Sequence, residues 1–329
     1  MEPPEKGVTG PRITLVLTSY QGRRNLETYL PRNLETVRAT AAIGEVVVAD
    51  DGSTDDSVEL LRERFPEVKV VALPANRGFG AAANAAFRSA SHPYVLNISN
   101  DMVLEPGAAE SLLAGFIRPD IFSVSARLLD PAGATEKGRT VPTFAVGDLK
   151  VWRTLAARLG ESPPPGGMLQ HFSGAIGLFD RRLFLELGGF DDLFLPFFVE
   201  ETDLCYRAWK RGYRILYEPA ARVTHHHRES GTILHQFSPR VRRVQFGKNR
   251  LLFIWKNIHD PGYVALHAAN LAVRAAVSWL ALDLDFYRSL AGALGRIGEV
   301  LPRRKLERER ARRSDREVFR EFRESVFRA

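Results

Sequence analysis

The first part of the chain alternates short apolar runs with amphipathic stretches. Residues 13–17 (ITLVL), 45–49 (EVVVA), 68–72 (VKVVA) and 94–98 (YVLNI) read as buried strands. Between them, residues 22–40 and the alanine-rich 80–90 read as helices. This is the pattern of βαβ units around a largely parallel sheet, whose strands are covered on both faces and so lose strict alternation. Pro31 is expected to kink or restart the first helix. Ser53 or Thr54 is expected to cap the second, with Asp55 and Asp56 in its favourable first turn. The small side chains of 80–90 allow that helix to approach the sheet closely.

Beyond residue 130 the pattern breaks. Residues 130–170, with the run PPPGG at 163–167, read as a long loop near the site. Order resumes at Phe172, with a helix around 204–211 and a strand near 214–217. From about residue 236 the pattern is helical. Residues 261–282 are rich in Ala, Leu and Val but contain His267, Asn270 and Arg274. A spanning helix needs about 20 predominantly apolar residues and tolerates central charge poorly, so a buried or interfacial helix is expected. The organisation expected is a leader at 1–11, a catalytic domain at 12–235 and a helical region at 236–329, with no internal repeat. Oligomeric state is not legible.

Composition narrows the class. With 329 residues, 45% hydrophobic and 26% charged, the chain holds a sizeable core and is not globally disordered. The one cysteine, Cys205, forms no internal disulfide, which fits a cytoplasmic setting. The opening MEPPEKGVTGPR is polar and proline-rich, without the apolar core of a signal peptide, and reads as a disordered leader. A formal net charge of +7 raises nucleic acid as a partner, but the excess lies late, at Arg303, Arg304, Lys305, Arg308, Arg310, Arg312, Arg313 and Arg316. Glu307, Glu309, Asp315 and Glu317 interleave with these. That composition suits a solvated helix face, or attraction to an anionic membrane surface, better than a nucleic-acid arm.

The polar clusters follow strands. Ligands in open α/β sheets bind outside the carboxyl ends of the strands, so Thr18-Ser19-Tyr20, Asp50-Asp51 and Asn100-Asp101 are expected to converge. Asp50-Asp51-Gly52-Ser53 is either a helix cap or a carboxylate for a nucleoside. Asn76-Arg77-Gly78-Phe79-Gly80 is a turn whose arginine either faces solvent or neutralises a diphosphate. Asp101 is either a cap ahead of Pro106-Gly107 or a ligand for Mg²⁺ or Mn²⁺ bridging to a diphosphate. Glu200-Glu201-Thr202-Asp203 is either an acidic first helical turn or holds a general base whose pKa is raised by its neighbours and partial burial. Of His225-His226-His227, at most two can face one metal, because adjacent side chains on extended backbone point to opposite faces.

These clusters in this order resemble family 2 glycosyltransferases of the GT-A fold, in particular the bacterial branch of rhamnosyltransferase-like and cell-surface polysaccharide enzymes. The resemblance is carried by TLVLTSYQ, VVVADDGSTDDS, NRGFGAAANAAF, YVLNISNDMVLEPG, FSGAIGLFDRRLFLELGGFDD, FFVEETDLCYRAWKRGYRILYEP and ARVTHHH, which span residues 13 to about 228. GKNRLLFIWKN in the tail resembles that branch too. The resemblance implies a mostly parallel sheet flanked by helices, with a helical C-terminal extension. It implies that Thr18, Ser19 and Tyr20 line the nucleobase pocket, that Asp51 accepts from the base, that Arg77 lies near the nucleotide and that Asn100 faces the ribose. Asp101 is the implied metal-binding acid, His225 the implied second metal ligand and Glu201 the implied catalytic base. Ser173, Gly174, Glu200 and Asp203 fall in the implied sugar and acceptor region.

Two departures stand out. The DxD-type triplet reads Ser99-Asn100-Asp101, and the usual Glu-Asp pair reads Glu200-Glu201. The second matters more, since about 1 Å of misplacement can cost on the order of a hundredfold in rate. The expected function is hexosyl or deoxyhexosyl transfer, with inversion, from a nucleotide diphosphate sugar to a hydroxyl of a glycan or lipid-linked acceptor. One rival is a catalytically silent nucleotide- or glycan-binding scaffold, motivated by the same two departures. Another is a sugar-phosphate nucleotidyltransferase, against which residues 13–25 hold only Gly22 where a glycine-rich phosphate loop is needed.

Overall fold

The computed structural model describes residues 12–152, 169–172, 174–226 and 237–327. At its centre, β1 (Ile13–Ser19) pairs in parallel with β2 (Ile43–Asp50) on one side and β4 (Tyr94–Ser99) on the other, and β3 (Lys69–Ala72) extends β2 in parallel. The chain order reverses at β1, so its end faces the crevice where such sheets bind ligands. Beyond β4 the sheet is mixed. β11 (Gly177–Asp180) runs antiparallel to both β4 and β6 (Ile121–Leu129), and β12 (Arg214–His225) runs parallel to β6. β5 (Met102–Leu104) is antiparallel to the end of β12, β7 (Thr135–Lys137) to β6, and β10 (Leu169–Gln170) to β12.

Burial on both faces explains the near-continuous apolar strands. On one face Leu15, Leu17, Val48 and Ile98 pack under Leu26, Leu30 and Leu34, the i, i+4, i+8 stripe of α1 (Arg23–Arg38). On the other, Val16, Val47 and Val95 meet Ala82, Ala83, Ala86 and Phe87 of α3 (Phe79–Ser89). Pro31 sits inside one continuous helix rather than restarting it. The next helix, α2 (Ser57–Arg64), starts after the expected caps. Ser53 is instead drawn back to Asp50, which accepts from its amide at 2.8 Å and its hydroxyl at 2.6 Å. Asp55 accepts from the amide of Arg23. The stretch expected to be irregular contains β7 and a hairpin of β8 (Val141–Ala145) and β9 (Asp148–Trp152), while 163–167 lie outside the described residues.

After α4 (Ala108–Ala114) and α5 (Arg181–Glu186) comes α6 (Glu200–Lys210), buried along most of its length. The tail forms α7 (Pro239–Asn257), α8 (Pro261–Leu280), α9 (Leu284–Leu294), α10 (Ile297–Arg310) and α11 (Asp315–Phe327). Buried charge ties it to α6 and the segments flanking that helix. Asp315 accepts from Tyr206 and Lys210 (2.6 Å each) and from the amides of His259 and Asp260. Arg211 meets Glu307. Lys256 spans Asp191 (2.6 Å) and Asp203 (2.7 Å).

This corrects the reading of the arginine-rich tail. Arg303 pairs with Asp191 and Asp192, Arg304 donates to the carbonyls of Trp255 and Ile258, and Arg316 pairs with Asp260. Only part of it, including Lys305, Arg308, Arg310 and Arg312, is a solvated face. Replacing Lys256 with Met should leave two carboxylates short of their shared cation and cost about 3 kcal/mol. Chemical denaturation checks this, and a loss well below 1 kcal/mol would show that the remaining partners suffice.

Candidate active site

The three strand ends meet. Ser19 lies opposite Asp50 and Thr18 opposite Ser99. The Asp51 amide donates to the Ser19 carbonyl (2.9 Å), and the Asn100 amide to the Thr18 carbonyl (3.2 Å). Asn100 is buried, donating to Ser19 Oγ (2.8 Å) and accepting from Asn25 (3.3 Å). A Cβ at Gly22 would collide with the side-chain ends of both Ser19 and Asn100, so a larger residue there would displace their hydrogen bond. Tyr20 is half-buried beside them.

Asp51 points away from Asp50. One oxygen accepts from the Arg77 amide (2.8 Å), the other from the Gly78 amide (2.7 Å). Burial raises its pKa to about 6 despite these bonds. Asp51 therefore fixes the 76–80 turn to the sheet, and the Arg77 side chain is left exposed. Gly78 has φ +84°, and a Cβ there would press on the Pro196 carbonyl, so the turn lies against the segment leading to α6.

At the end of β4 the chain turns directly into β5. Pairing of Met102 with His225, and the bond from the His226 amide to the Asp101 carbonyl (2.9 Å), bring side chains 124 positions apart into contact. His225 Nε2 lies 3.3 Å from Asp101 Oδ2, and His225 Nδ1 lies 3.1 Å from Glu136 Oε2 on β7. Asp101 Oδ1 is buried without a hydrogen-bond partner. Orphaned buried carboxylate oxygens are costly, and a cation relieves that cost. Among the described residues no three His, Cys, Asp or Glu side chains converge on one point. Asp101 and His225 could supply two donors to a hard cation, leaving diphosphate oxygens and water to complete it, as is usual for Mg²⁺ at phosphates. Glu136 sits behind the imidazole, where a carboxylate sets ring orientation and tautomer. His226 turns the other way and stacks on Tyr29, with ring centroids 4.4 Å apart. His227 and Ser173 lie outside the described residues. Gly174 is packed so closely that a Cβ would meet Ser125 and His171.

The acidic cluster opens α6 after a strained turn. Phe198 (φ +75°) and Val199 (φ +77°) occupy the left-handed region, which costs side-chain-bearing residues about 1–3 kcal/mol each. Asn249, fully buried on α7, holds the turn by donating to the carbonyls of Phe194 (2.7 Å), Phe197 (3.0 Å) and Phe198 (2.8 Å). The raised carboxyl expected in this cluster is found at Glu200. Burial, reinforced by the charge of Glu201, lifts it to about 8, and its Oε2 is sealed without a partner. Glu201 makes no hydrogen bond or ion pair among the described residues. Asp203 does not belong to a sugar region. It is fully buried and saturated by Arg207 (2.8 Å), Lys256 (2.7 Å) and Asn257 (2.7 Å).

The sequence matches the model for Glycosyl transferase family 2 over residues 14–187, more than half of the chain. The chain belongs to glycosyl transferase family 2. It is 29% identical over 240 residues to the N-acetylglucosaminyl-diphospho-decaprenol L-rhamnosyltransferase of Mycobacterium tuberculosis, covering 65% of this chain and 76% of that one. It is 26% identical over 215 residues to the poly-beta-1,6-N-acetyl-D-glucosamine synthase of Staphylococcus aureus, covering 64% of this chain and 48% of that one. A structure of GalNAc-T7 with UDP, GalNAc and Mn²⁺ superposes with a TM-score of 0.58 at 16% identity, over 78% of this chain and 49% of that one. The chain thus spans about half the length of the last two. The flanking helices and helical C-terminal region form the GT-A architecture expected from the sequence, although the sheet is mixed rather than mostly parallel, and the protein is a glycosyltransferase.

Two parts of this glycosyltransferase's site escaped the sequence reading. Glu136 lay in a stretch without periodicity. Asn249 stood in plain view within GKNRLLFIWKN but carried no signal that its amide faces a turn fifty residues earlier. Glu200 gives a pH test. It keeps its proton to about pH 8 when folded but loses it near 4.5 when unfolded, so folding takes up a proton between those values. That stabilising contribution is fully present below pH 4.5 and is lost as pH rises through 8. Thermal or urea unfolding at pH 5 and pH 9 should show wild type losing on the order of 3 kcal/mol more than Glu200→Gln. Parallel profiles would contradict the burial.

Proposed function

We propose that this glycosyltransferase transfers a hexosyl or deoxyhexosyl group from a nucleotide diphosphate sugar to a hydroxyl of a glycan or lipid-linked glycan, with Mn²⁺ or Mg²⁺ and with inversion. The observation that carries the reading is the Asp101–His225 contact, with its orphaned carboxylate oxygen, next to the polar ends of β1, β2 and β4. The name of the mycobacterial relative, which acts on a diphospho-decaprenol acceptor, and the UDP and Mn²⁺ in the GalNAc-T7 structure support it.

In this reading Thr18, Ser19, Tyr20 and Asn100 line the nucleoside end of the donor site. Asp51 shapes it by holding the 76–80 turn and still has lone pairs for the base. Arg77 reaches the diphosphate. Asp101 and His225 hold the cation, which when bound supplies positive charge against the charge developing on the leaving diphosphate. Both must be deprotonated at the donor atoms, so metal affinity falls with acidification. Glu201, which has no bonding partner among the described residues, accepts the proton of the attacking acceptor hydroxyl. Glu200, neutral at pH 7, spares Glu201 a second negative neighbour. Gly174 stands on the sugar side.

The helical region from 236 onward supports a peripheral reading, with the acceptor met at an anionic membrane surface. No helix among the described residues is long and apolar enough to cross a membrane. Glu201→Gln tests the base. Transfer should fall by about 10²–10⁴-fold with nucleotide binding unchanged by calorimetry. Near-normal transfer would remove Glu201 from the role, and binding without turnover of any donor by wild type would favour a silent scaffold.

A further inference from the structure

Helix α8 was expected to be buried or interfacial, and the structure excludes burial: only His267 and Ser278 are buried along it. Its C-terminal corner is the most exposed apolar feature described. Trp279 is 71% exposed, Leu280 84%, Leu282 78% and Leu284 56%, and Val273 and Val277 continue the patch along the helix. The corner is closed by backbone hydrogen bonds. The Leu282 amide donates to the Trp279 carbonyl (3.2 Å) and the Asp283 amide to the Ser278 carbonyl (2.9 Å). Soluble monomers rarely expose such a patch without an occupant.

Beside this corner, α7, α8 and α9 enclose a cavity of about 360 Å³ that touches none of the proposed donor residues. Its lining holds as many aspartates as arginines, and the excess of positive charge comes from Arg240, Arg288 and Lys150 around it. Arg240 (2.8 Å), Arg243 (2.9 Å) and Arg288 (3.3 Å) share the one carboxylate of Asp285, next to Leu284. Arg250 and Lys150 share Asp148. Arg274 lies over the Phe286 ring at 5.1 Å and has no carboxylate partner among the described residues. Asp283 caps α9 by accepting from the Phe286 amide. Arg243, Arg250 and Arg274 line the cavity with Asn270, opposite Asp148, Asp283 and Asp285. Burial lowers the pKa of Arg250, and the charge of Arg274 lowers it further, so a bound anion would relieve both.

We infer that this cavity binds the phosphate headgroup of an anionic membrane lipid, whose acyl chains meet the apolar corner formed by Trp279, Leu280, Leu282 and Leu284. Charge complementarity selects this occupant. A cavity with surplus arginine and lysine at its edge, joined to an exposed tryptophan and leucine corner, matches a lipid with phosphate above hydrocarbon, whereas a second copy of the same surface would oppose arginine to arginine. The inference rests on the membrane-surface reading above and adds the site that performs it.

The test is flotation of the full chain with phosphatidylcholine vesicles, with and without phosphatidylglycerol, alongside hydrolysis of nucleotide sugars in vesicle-free solution. Wild type should bind only the vesicles containing phosphatidylglycerol, with a blue shift of tryptophan emission. Arg274→Gln should weaken binding about fivefold or more, and Trp279→Ser with Leu282→Ser more than tenfold. Because the altered side chains lie away from the donor site, hydrolysis and melting temperature should not change. Equal binding by wild type and Arg274→Gln would overturn the headgroup site. Binding of soluble glycerol phosphate with no vesicle binding would overturn the lipid source. Self-association by sedimentation velocity, abolished by the Trp279 and Leu282 changes, would assign the corner to a second copy. Loss of all hydrolysis in wild type would count against the transfer reading and leave the vesicle result to stand alone.

Discussion

The site depends on one strand pairing. Three residues of β5, laid antiparallel on the last residues of β12, set the register that puts His225 beside Asp101. A slip of one residue on an extended strand turns every side chain to the opposite face. It would replace the imidazole at Asp101 with His226, which instead stacks on Tyr29. The parallel β3-β2-β1-β4 order supplies the other half of the constraint, because it delivers three polar strand ends to one crevice.

The second element is the turn before α6, where two bulky residues are held in the left-handed region. Such strain persists only where surrounding structure imposes it. Here Asn249 imposes it through three carbonyls, and Lys256 and Asn257, two turns further along α7, fix Asp203 behind it. The tail is therefore part of the site's scaffold. Its Lys256 compensates Asp203 of α6, and its Asp315 and Glu307 compensate Lys210 and Arg211, while the arginine-lined cavity and the apolar corner lie on its outer surface.

Much of this was legible beforehand. The four parallel strands could be read because burial on both faces leaves continuous apolar runs, and the strand-end clusters because α/β topology dictates where they go. Asp101 and His225 were named through resemblance, but their contact needed the β5–β12 register, which no local pattern encodes. Asp203 was misplaced because an acidic helix start looks alike whether its acids face a ligand or a buried lysine. Ser53 was misjudged as a cap because the nearer Asp50 competes for its hydroxyl. Glu136 and the β8–β9 hairpin fell in a stretch of weak periodicity, and the tail arginines looked solvated because nothing in sequence marks the carbonyls they reach.

The central claim is that Asp101 and His225 share one divalent cation. Pulsed electron paramagnetic resonance of Mn²⁺ bound to the full chain with UDP, GDP or dTDP addresses it without relying on turnover. The account predicts a nitrogen coupling typical of a directly coordinated imidazole, absent in His225→Gln. Bound Mn²⁺ showing no nitrogen coupling, or a coupling that survives that substitution, would contradict it.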